Sequence, residues 1–382
     1  MLVYLDCNAT TPLEPRVHEA MRACAEIEFG NAGSPHEFGE RAKALVHKAR
    51  DQIGAVLNAR RHEVIFTSGA TESNNLALLG LASYGERSGR RHIVSTQIEH
   101  SSVLEPLAAL QRRGFELSLL PPAVGGWVDP QAVRCAVRDD TLLVSVMQVN
   151  NETGVRQPIA QIARLLDDSD VYLHTDAAQG FGKELAPLRD RRIDLISISG
   201  HKIYGPKGIG ALVLRRRERE LPPLEPLMHG GGQELGLRPG TLPVPLVVGL
   251  GLAAEVAMDE AEQRAEQCRK FKETLLDGLA PLCPAIHGDP ARTLPHTVNL
   301  SFPGVDAEEV IAAWRGSAAV SNGSACTSAC DTASHVLTAM HLPRAQVDGA
   351  IRISWCHSTS LPDMPRLIAA IEQHVAQSGT RG

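Results

Sequence analysis

Residues 63–96 read EVIFTSGATESNNLALLGLASYGERSGRRHIVST. EVIFTS (63–68) is a short β-branched and aromatic run, which predicts a strand. A glycine turn follows, and TESNNLALLGLASYG predicts a helix. HIVST (92–96) is the next strand. The same unit recurs outward from here. SSVLEPLAALQRRG predicts a helix, and FELSLL, TLLVSVMQV, VYLHTD, DLISIS and GALVLR continue the strands to about residue 215. Strands alternating with helices predict an α/β fold, with a mixed, mostly parallel sheet covered on both faces. Beyond it the pattern changes. Residues 245–279 predict one long helical stretch, followed by the shorter elements TVNLSF, AEEVIAAW and AIRISW and a final helix near 362–376. The expected division is a large unit over 15–250 and a smaller α+β unit made of 1–14 and 251–382.

The composition narrows the function classes. The chain has 382 residues, 43% hydrophobic and 21% charged, which suits a globular protein with a sizeable core. A net charge of −6 supplies no electrostatic reason to bind nucleic acid or an anionic membrane. The run Arg215-Arg216-Arg217 is expected to be a solvated strand end. No apolar run reaches the ~18–20 residues of a membrane helix, and MLVYLD lacks the pattern of a signal peptide. The eight cysteines follow no disulfide framework, so reduced thiols in the cytoplasm are expected. Cys24 and Cys135 are expected to be small packing residues. Arginine outnumbers lysine 31 to 7, so few lysines are available as nucleophiles.

Three stretches carry chemistry. SISGHKIYGPKGIGAL (197–212) ends a strand and delivers Ser199, His201 and Lys202 into a glycine-rich turn. A nucleophilic lysine needs a rigid mount and nearby groups that lower its pKa. The competing reading is an ordinary surface lysine. HTDAAQG (174–180) places Asp176 at the end of the preceding strand, where it is either a carboxylate beside a pyridine nitrogen or a helix N-cap. A lysine and an aspartate at neighbouring strand ends meet the needs of pyridoxal phosphate (PLP): the lysine forms a Schiff base, and the carboxylate keeps the ring nitrogen protonated. TSGATESNN (67–75) runs a strand into Gly69-Ala70-Thr71 and then a helix, a backbone cradle for phosphate. His100, Asn150, Asn151 and Gln179 follow other strands and are either ligand contacts or satisfied polar residues.

These motifs resemble a known family. YLDCNATTP, FTSGATESNN, IEHSSVL, VNNETG, HTDAAQG, SGHKIYGPKGIGAL, HGGGQELGLRPGTLPV and SNGSACTSAC occur between residues 4 and 330 in the order found in group I (NifS/IscS-like) cysteine desulfurases. Those enzymes belong to the class V aminotransferase family. The resemblance implies PLP-dependent transferase fold type I, a homodimer with shared active sites, L-cysteine as substrate and a sulfur-acceptor protein as partner. It implies that Lys202 is the Schiff-base lysine, that Asp176 pairs with the ring nitrogen and that His100, a catalytic residue with Lys202 and Cys326, stacks on the ring and moves protons. Asn151 and Gln179 would contact the substrate side and the phenolic oxygen. Ala70, Thr71, Ser199 and His201 would hold the phosphate, and Thr241 would reach the phosphate of the partner subunit. Arg352 would clamp the substrate carboxylate, a role suited to its planar fork.

Cys326, in SNGSACTS, matches the family's catalytic cysteine and would carry the persulfide. The Ser-, Gly-, Asn- and Thr-rich surroundings suit a mobile loop. A metal held by Cys326, Cys330 and His335 is the competing reading, and their spacing fits no strong zinc pattern; no metal is expected. The family alternative is a selenocysteine lyase or related class V enzyme. The stretch GNAGSPHEFG (30–39) departs from the family wording, and Cys7 and Cys356 are unusual beside matched motifs. The end at Gly382, short for an iron–sulfur-scaffold partnership, favours an acceptor in tRNA thiolation or DNA phosphorothioation over one in iron–sulfur assembly.

Overall fold

The computed structural model describes residues 2–217, 220–322 and 333–379. Its strands are β1 (Val3–Tyr4), β2 (Val64–Thr67), β3 (His92–Thr96), β4 (Glu116–Leu120), β5 (Thr141–Ser145), β6 (Tyr172–Asp176), β7 (Leu195–Ser199), β8 (Gly210–Leu214), β9 (Ala285–His287), β10 (Thr297–Ser301), β11 (Ala318–Ala319), β12 (Ser321–Asn322) and β13 (Ala350–Ser354). Seven of them form one sheet in the order β2-β8-β7-β6-β5-β3-β4. Only β8 runs against the others.

Strand alternation explains why this sheet is buried on both faces. In β2, Val64 and Phe66 point to one core while Ile65 points to the other. In β8, Ala211 and Val213 join the first core and Leu212 and Leu214 the second. The helices Pro15–Ile27, Glu37–Leu57 and Val244–Asp259 cover the first face, and Ala70–Gly80 and Ser101–Arg112 cover the second. The edge strand β4 is only partly buried, with Glu116 exposed. In the departing stretch 30–39, His36 caps the second helix through Nδ1, which accepts from Gly39 N at 3.2 Å.

A second sheet, β12-β13-β10-β9, is antiparallel throughout. Val298, Leu300, Ile351 and Ile353 pack beneath it with Trp314, Trp355, Phe271 and Leu275. β1 pairs in parallel with β11, so the chain's first residues join this half.

Three expectations need correction. The stretch 245–279 is two helices, Val244–Asp259 and Ala261–Leu279, broken at Glu260, whose φ of −105° and ψ of 8° are not helical. The arginine run is not a solvated strand end. Arg215 is 1% exposed, and its guanidinium donates to the carbonyls of Leu57 and Leu188 at 2.6 Å each. Arg217 forks onto Asp194 at 2.5 and 2.6 Å, so of the three only Arg216 is exposed. Cys24 is buried as expected, but Cys135 is exposed because it faces away from the core on its short helix.

Candidate active site

The parallel strands all end at the same edge of the seven-stranded sheet, where open α/β sheets place their ligands. A cavity of about 650 Å³ opens there. Ala70, Thr71, His100, Asn151, Asp176, Gln179, Ser199, His201, Lys202 and Arg352 all line it. Thr241 lies elsewhere, in a groove with Arg50, His47 and Glu234. Cys326 and Cys330 lie outside the described residues.

β6 ends on Asp176 and the neighbouring β7 ends on Ser199, so alignment of the two strands fixes the spacing of the site. Asp176 is 6% exposed. Its Oδ1 accepts from Ala178 N at 2.9 Å and its Oδ2 from Asn74 Nδ2 at 2.7 Å. The turn-capping reading of Asp176 is therefore met at one oxygen, while the residue still faces the cavity. Asn74 Nδ2 also donates to Ser102 Oγ at 2.8 Å, and Ser102 Oγ lies 2.8 Å from His100 Nδ1. That Nδ1 accepts from Ser102 N at 3.1 Å, which assigns the ring proton to Nε2. Asp176 and His100 are thus held by one hydrogen-bonded chain.

Lys202 sits in the single 3-10 turn after β7. Its Nζ donates to the carbonyls of Asn8 and Ala9, the second at 2.8 Å. Gln179 Nε2 donates to Asn8 O at 2.9 Å. Asn8, Ala9 and Thr10 line the cavity, and the sequence reading assigned them no role. Their motif YLDCNATTP was visible, but 190 residues of chain conceal that it holds the lysine. Asn74 and Ser102 were missed for the same reason.

Burial, helped by the neighbouring Lys202, Lys207 and Lys183, pushes His201 down to about 4, so its ring is neutral at pH 7. Its Nδ1 lies 3.2 Å from Thr10 Oγ1. The helix Ala70–Gly80 starts at Gly69 with no side chain capping it, so its first N–H groups are presented to the cavity. Gly210 explains the close fit behind this turn, because a Cβ there would lie 2.6 Å from Gly69 Cα. Lys202, Lys207 and Arg352 line the cavity against one carboxylate, Asp176, which favours anionic ligands.

Arg352 arrives from the other sheet. Ile351 and Ile353 face the apolar core, so alternation turns Arg352 the opposite way. It is 1% exposed, donating to Asn151 O at 3.0 Å and to Asp6 Oδ1 at 2.7 Å. Asn150 proves structural: its Oδ1 accepts from Glu152 N and Thr153 N, and its Nδ2 donates to Ile98 O. Asn151 Oδ1 and Gln179 Oε1, by contrast, are buried without a partner among the described residues.

Two buried glutamates were not anticipated. Glu99 takes Thr96 Oγ1 at 2.7 Å and Met147 N at 3.0 Å on one oxygen, and burial raises its carboxyl to about 8. Burial also raises Glu152, which accepts from Ser334 Oγ at 2.5 Å. His335 Nε2 lies 2.9 Å from Glu99 O. Among the described residues, no group of His, Cys, Asp or Glu is arranged to hold a metal, and no helix is long and apolar enough to cross a membrane.

The uncapped helix start, the cationic lining, and a lysine and a carboxylate at neighbouring strand ends fit a flat heteroaromatic ligand that carries a phosphate. The family profile described as Aminotransferase class-V matches residues 3–367. A human cysteine desulfurase is 44% identical over 376 residues, covering 98% of this chain and 81% of that protein. The crystal structure of DndA from Streptomyces lividans is similar with a TM-score of 0.81 at 50% identity, covering 92% of this chain and 98% of that one. A structure described as SspA in complex with cysteine is similar with a TM-score of 0.81 at 37% identity over the same shares of the two chains.

Proposed function

We infer that this chain, which belongs to the class V aminotransferase family, is a PLP-dependent cysteine desulfurase that takes the sulfur of L-cysteine and leaves L-alanine. The observation that carries this reading is Asp176 and Lys202 at the ends of adjacent strands, in one cavity with an uncapped helix start. PLP, when bound, acts as an electron sink for charge that develops at the substrate Cα.

The chain's own residues have the following proposed roles. Lys202 attaches the cofactor and moves the Cα proton. Asp176, fixed by Asn74, keeps a proton on the ring nitrogen. His100 stacks on the ring and, with Nε2 protonated, donates rather than accepts there. Ala70, Thr71, Ser199 and His201 hold the phosphate, with the N–H groups of the uncapped helix start among its donors. Gln179 and Asn151 contact the cofactor and substrate side of the cavity that they line. Arg352 binds the substrate carboxylate with a guanidinium already oriented by Asp6 and Asn151.

Cys326 is the proposed thiol that attacks the substrate sulfur and keeps it as a persulfide. A homodimer is proposed, with Thr241 serving the partner's phosphate; its position in a groove apart from the cavity supports that role. A cytoplasmic location and an acceptor in iron–sulfur assembly, tRNA thiolation or DNA phosphorothioation are proposed on the sequence reading alone. The division at residues 15–250 is a further proposal. It is supported by the two separate apolar cores, although the helix ending at Asp259 still packs on the first.

The test is product analysis of the PLP-loaded protein with L-cysteine. Equal amounts of alanine and sulfide are expected in the presence of a thiol reductant. Mercaptopyruvate without sulfide, formed when a keto acid is added as amino acceptor, would make the chain a transaminase instead.

A further inference from the structure

Cys7 and Cys356 stand apart from the chemistry above. Both are buried, and with Tyr204 they form a small cluster of their own. The backbone brings them together. Asp6 makes a parallel bridge to Ser354, and Cys7 N donates to Ser354 O at 3.0 Å. Chains at such a bridge run about 5 Å apart and rise about 3.3 Å per residue, so the one-position offset between Cys7 and Cys356 puts their Cα atoms roughly 6 Å apart, inside the about 4.4–6.8 Å that a disulfide spans. The Cys7 and Cys356 side chains pack together in that cluster. Cys356 Sγ also lies 3.3 Å from Ser358 Oγ and 3.2 Å from Thr359 Oγ1.

Donors gathered around one sulfur favour its thiolate. The adjoining Cys7 thiol, followed by the Ser358 and Thr359 hydroxyls, holds Cys356 below the ordinary thiol range despite burial. The same contact, with burial, holds the Cys7 thiol above its ordinary range. One nucleophilic sulfur and one protonated sulfur in contact are the two halves of a redox dithiol. Cys356 also sits directly under the surface, since His357 is half-buried and Ser358 is exposed.

We propose that Cys7 and Cys356 form a redox-sensitive dithiol that hydrogen peroxide closes to a disulfide, slowing turnover in the adjoining cavity. The Cys356 thiolate, its proton already released to solvent, attacks a peroxide oxygen; the O–O bond breaks, the sulfur becomes a sulfenic acid, and the leaving hydroxide takes up a solvent proton as the first water. Cys7 Sγ then attacks Cys356 Sγ, the S–O bond breaks, and the Cys7 proton leaves with the hydroxide as the second water. The two thiols lose two electrons and two protons, and the peroxide takes up both.

The closure draws the two sulfurs to about 2.05 Å. Asn8, the next residue after Cys7, accepts from both Lys202 and Gln179, and its Nδ2 donates to Asn151 O at 3.2 Å. Cys356 lies on the same segment as Arg352, four residues beyond it. Closing the pair therefore shifts the anchors of the lysine and the arginine together.

The test treats the PLP-loaded protein with hydrogen peroxide and maps its peptides without reduction. A Cys7–Cys356 linked peptide that dithiothreitol cleaves is expected, with the exposed Cys135 and Cys283 serving as unlinked controls. A link from Cys356 to the nearby Cys268, or oxygen added to Cys356 without a link, would overturn the pairing. Turnover is expected to fall several-fold on oxidation and to recover with dithiothreitol, and this recoverable loss is expected to vanish in Cys7→Ser. An equal recoverable loss in Cys7→Ser would overturn the regulatory half, since it would place the oxidised thiol elsewhere. Peptide mapping needs no catalysis, so its failure leaves the desulfurase reading untouched.

Discussion

The seven-stranded sheet meets the cavity with strand ends, whereas the four-stranded sheet meets it with the middle of a strand. Asp176 and Ser199 are the last residues of β6 and β7, and Lys202 sits in the turn that follows. There the backbone leaves its ladder, and side chains take backbone partners, near in sequence for Ala178 N and distant for the Asn8 and Ala9 carbonyls. Arg352 is central in β13, opposite Asn299 of β10 and Ser321 of β12. Its direction is set by alternation and its charge is balanced by Asp6. Parallel strands collect chemistry at one edge because all their carboxyl ends coincide. An antiparallel sheet has no such edge and lends one residue from its face. The first arrangement suits groups that react, and the second suits a group that only binds.

This contrast orders the expected effects of mutation. Lys202→Ala should lose visible cofactor absorbance and leave less than about 10⁻³ of kcat, as expected for a nucleophile acting within a unit. A coloured, active variant would break the strand-end side of the comparison. Asp176→Ala should keep cofactor but lower kcat by roughly 10²–10³, the scale of one lost charge-stabilising group. KM should change little, which stopped-flow turnover at saturating cysteine can separate.

Arg352→Ala should act the other way, raising KM for cysteine. The lost contact is worth about 2–4 kcal/mol, or roughly 30- to 1,000-fold. If kcat fell while KM held, Arg352 would belong with the reacting groups and the contrast would fail. The last effect is on stability and leaves turnover aside; it concerns Glu99, beneath the strand-end side. Its folded value of about 8 lies above its unfolded one, so between about pH 4.5 and 8 the folded state holds a proton that the unfolded state releases. Stability therefore declines as pH rises through that window, by up to ~1.4 kcal/mol per unit. Glu99→Gln should remove this slope, so its melting temperature relative to the parent should be higher at pH 8 than at pH 5. Parallel curves at the two pH values would show that Glu99 is ionised in the fold.

The sequence by itself determined the architecture and most of the candidate cavity lining. Periodicity switches between 2 and 3.6 at each element, and every strand-end motif falls where a parallel sheet must expose it. The residues named from those motifs, from Ala70 to Lys202, line one cavity because strand order leaves their ends side by side. Only the tertiary structure decided what holds them. Asn8 lies 194 positions from the lysine it anchors, Asn74 lies 102 from Asp176, and Asp6 lies 346 from Arg352. No local pattern encodes such partners, because a hydrogen bond constrains distance in space and leaves no periodicity along the chain. The same holds for Arg215, which reads as a charged strand end yet is buried because the carbonyls of Leu57 and Leu188 converge on it. It holds equally for Cys7 and Cys356, which only the Asp6–Ser354 bridge makes neighbours.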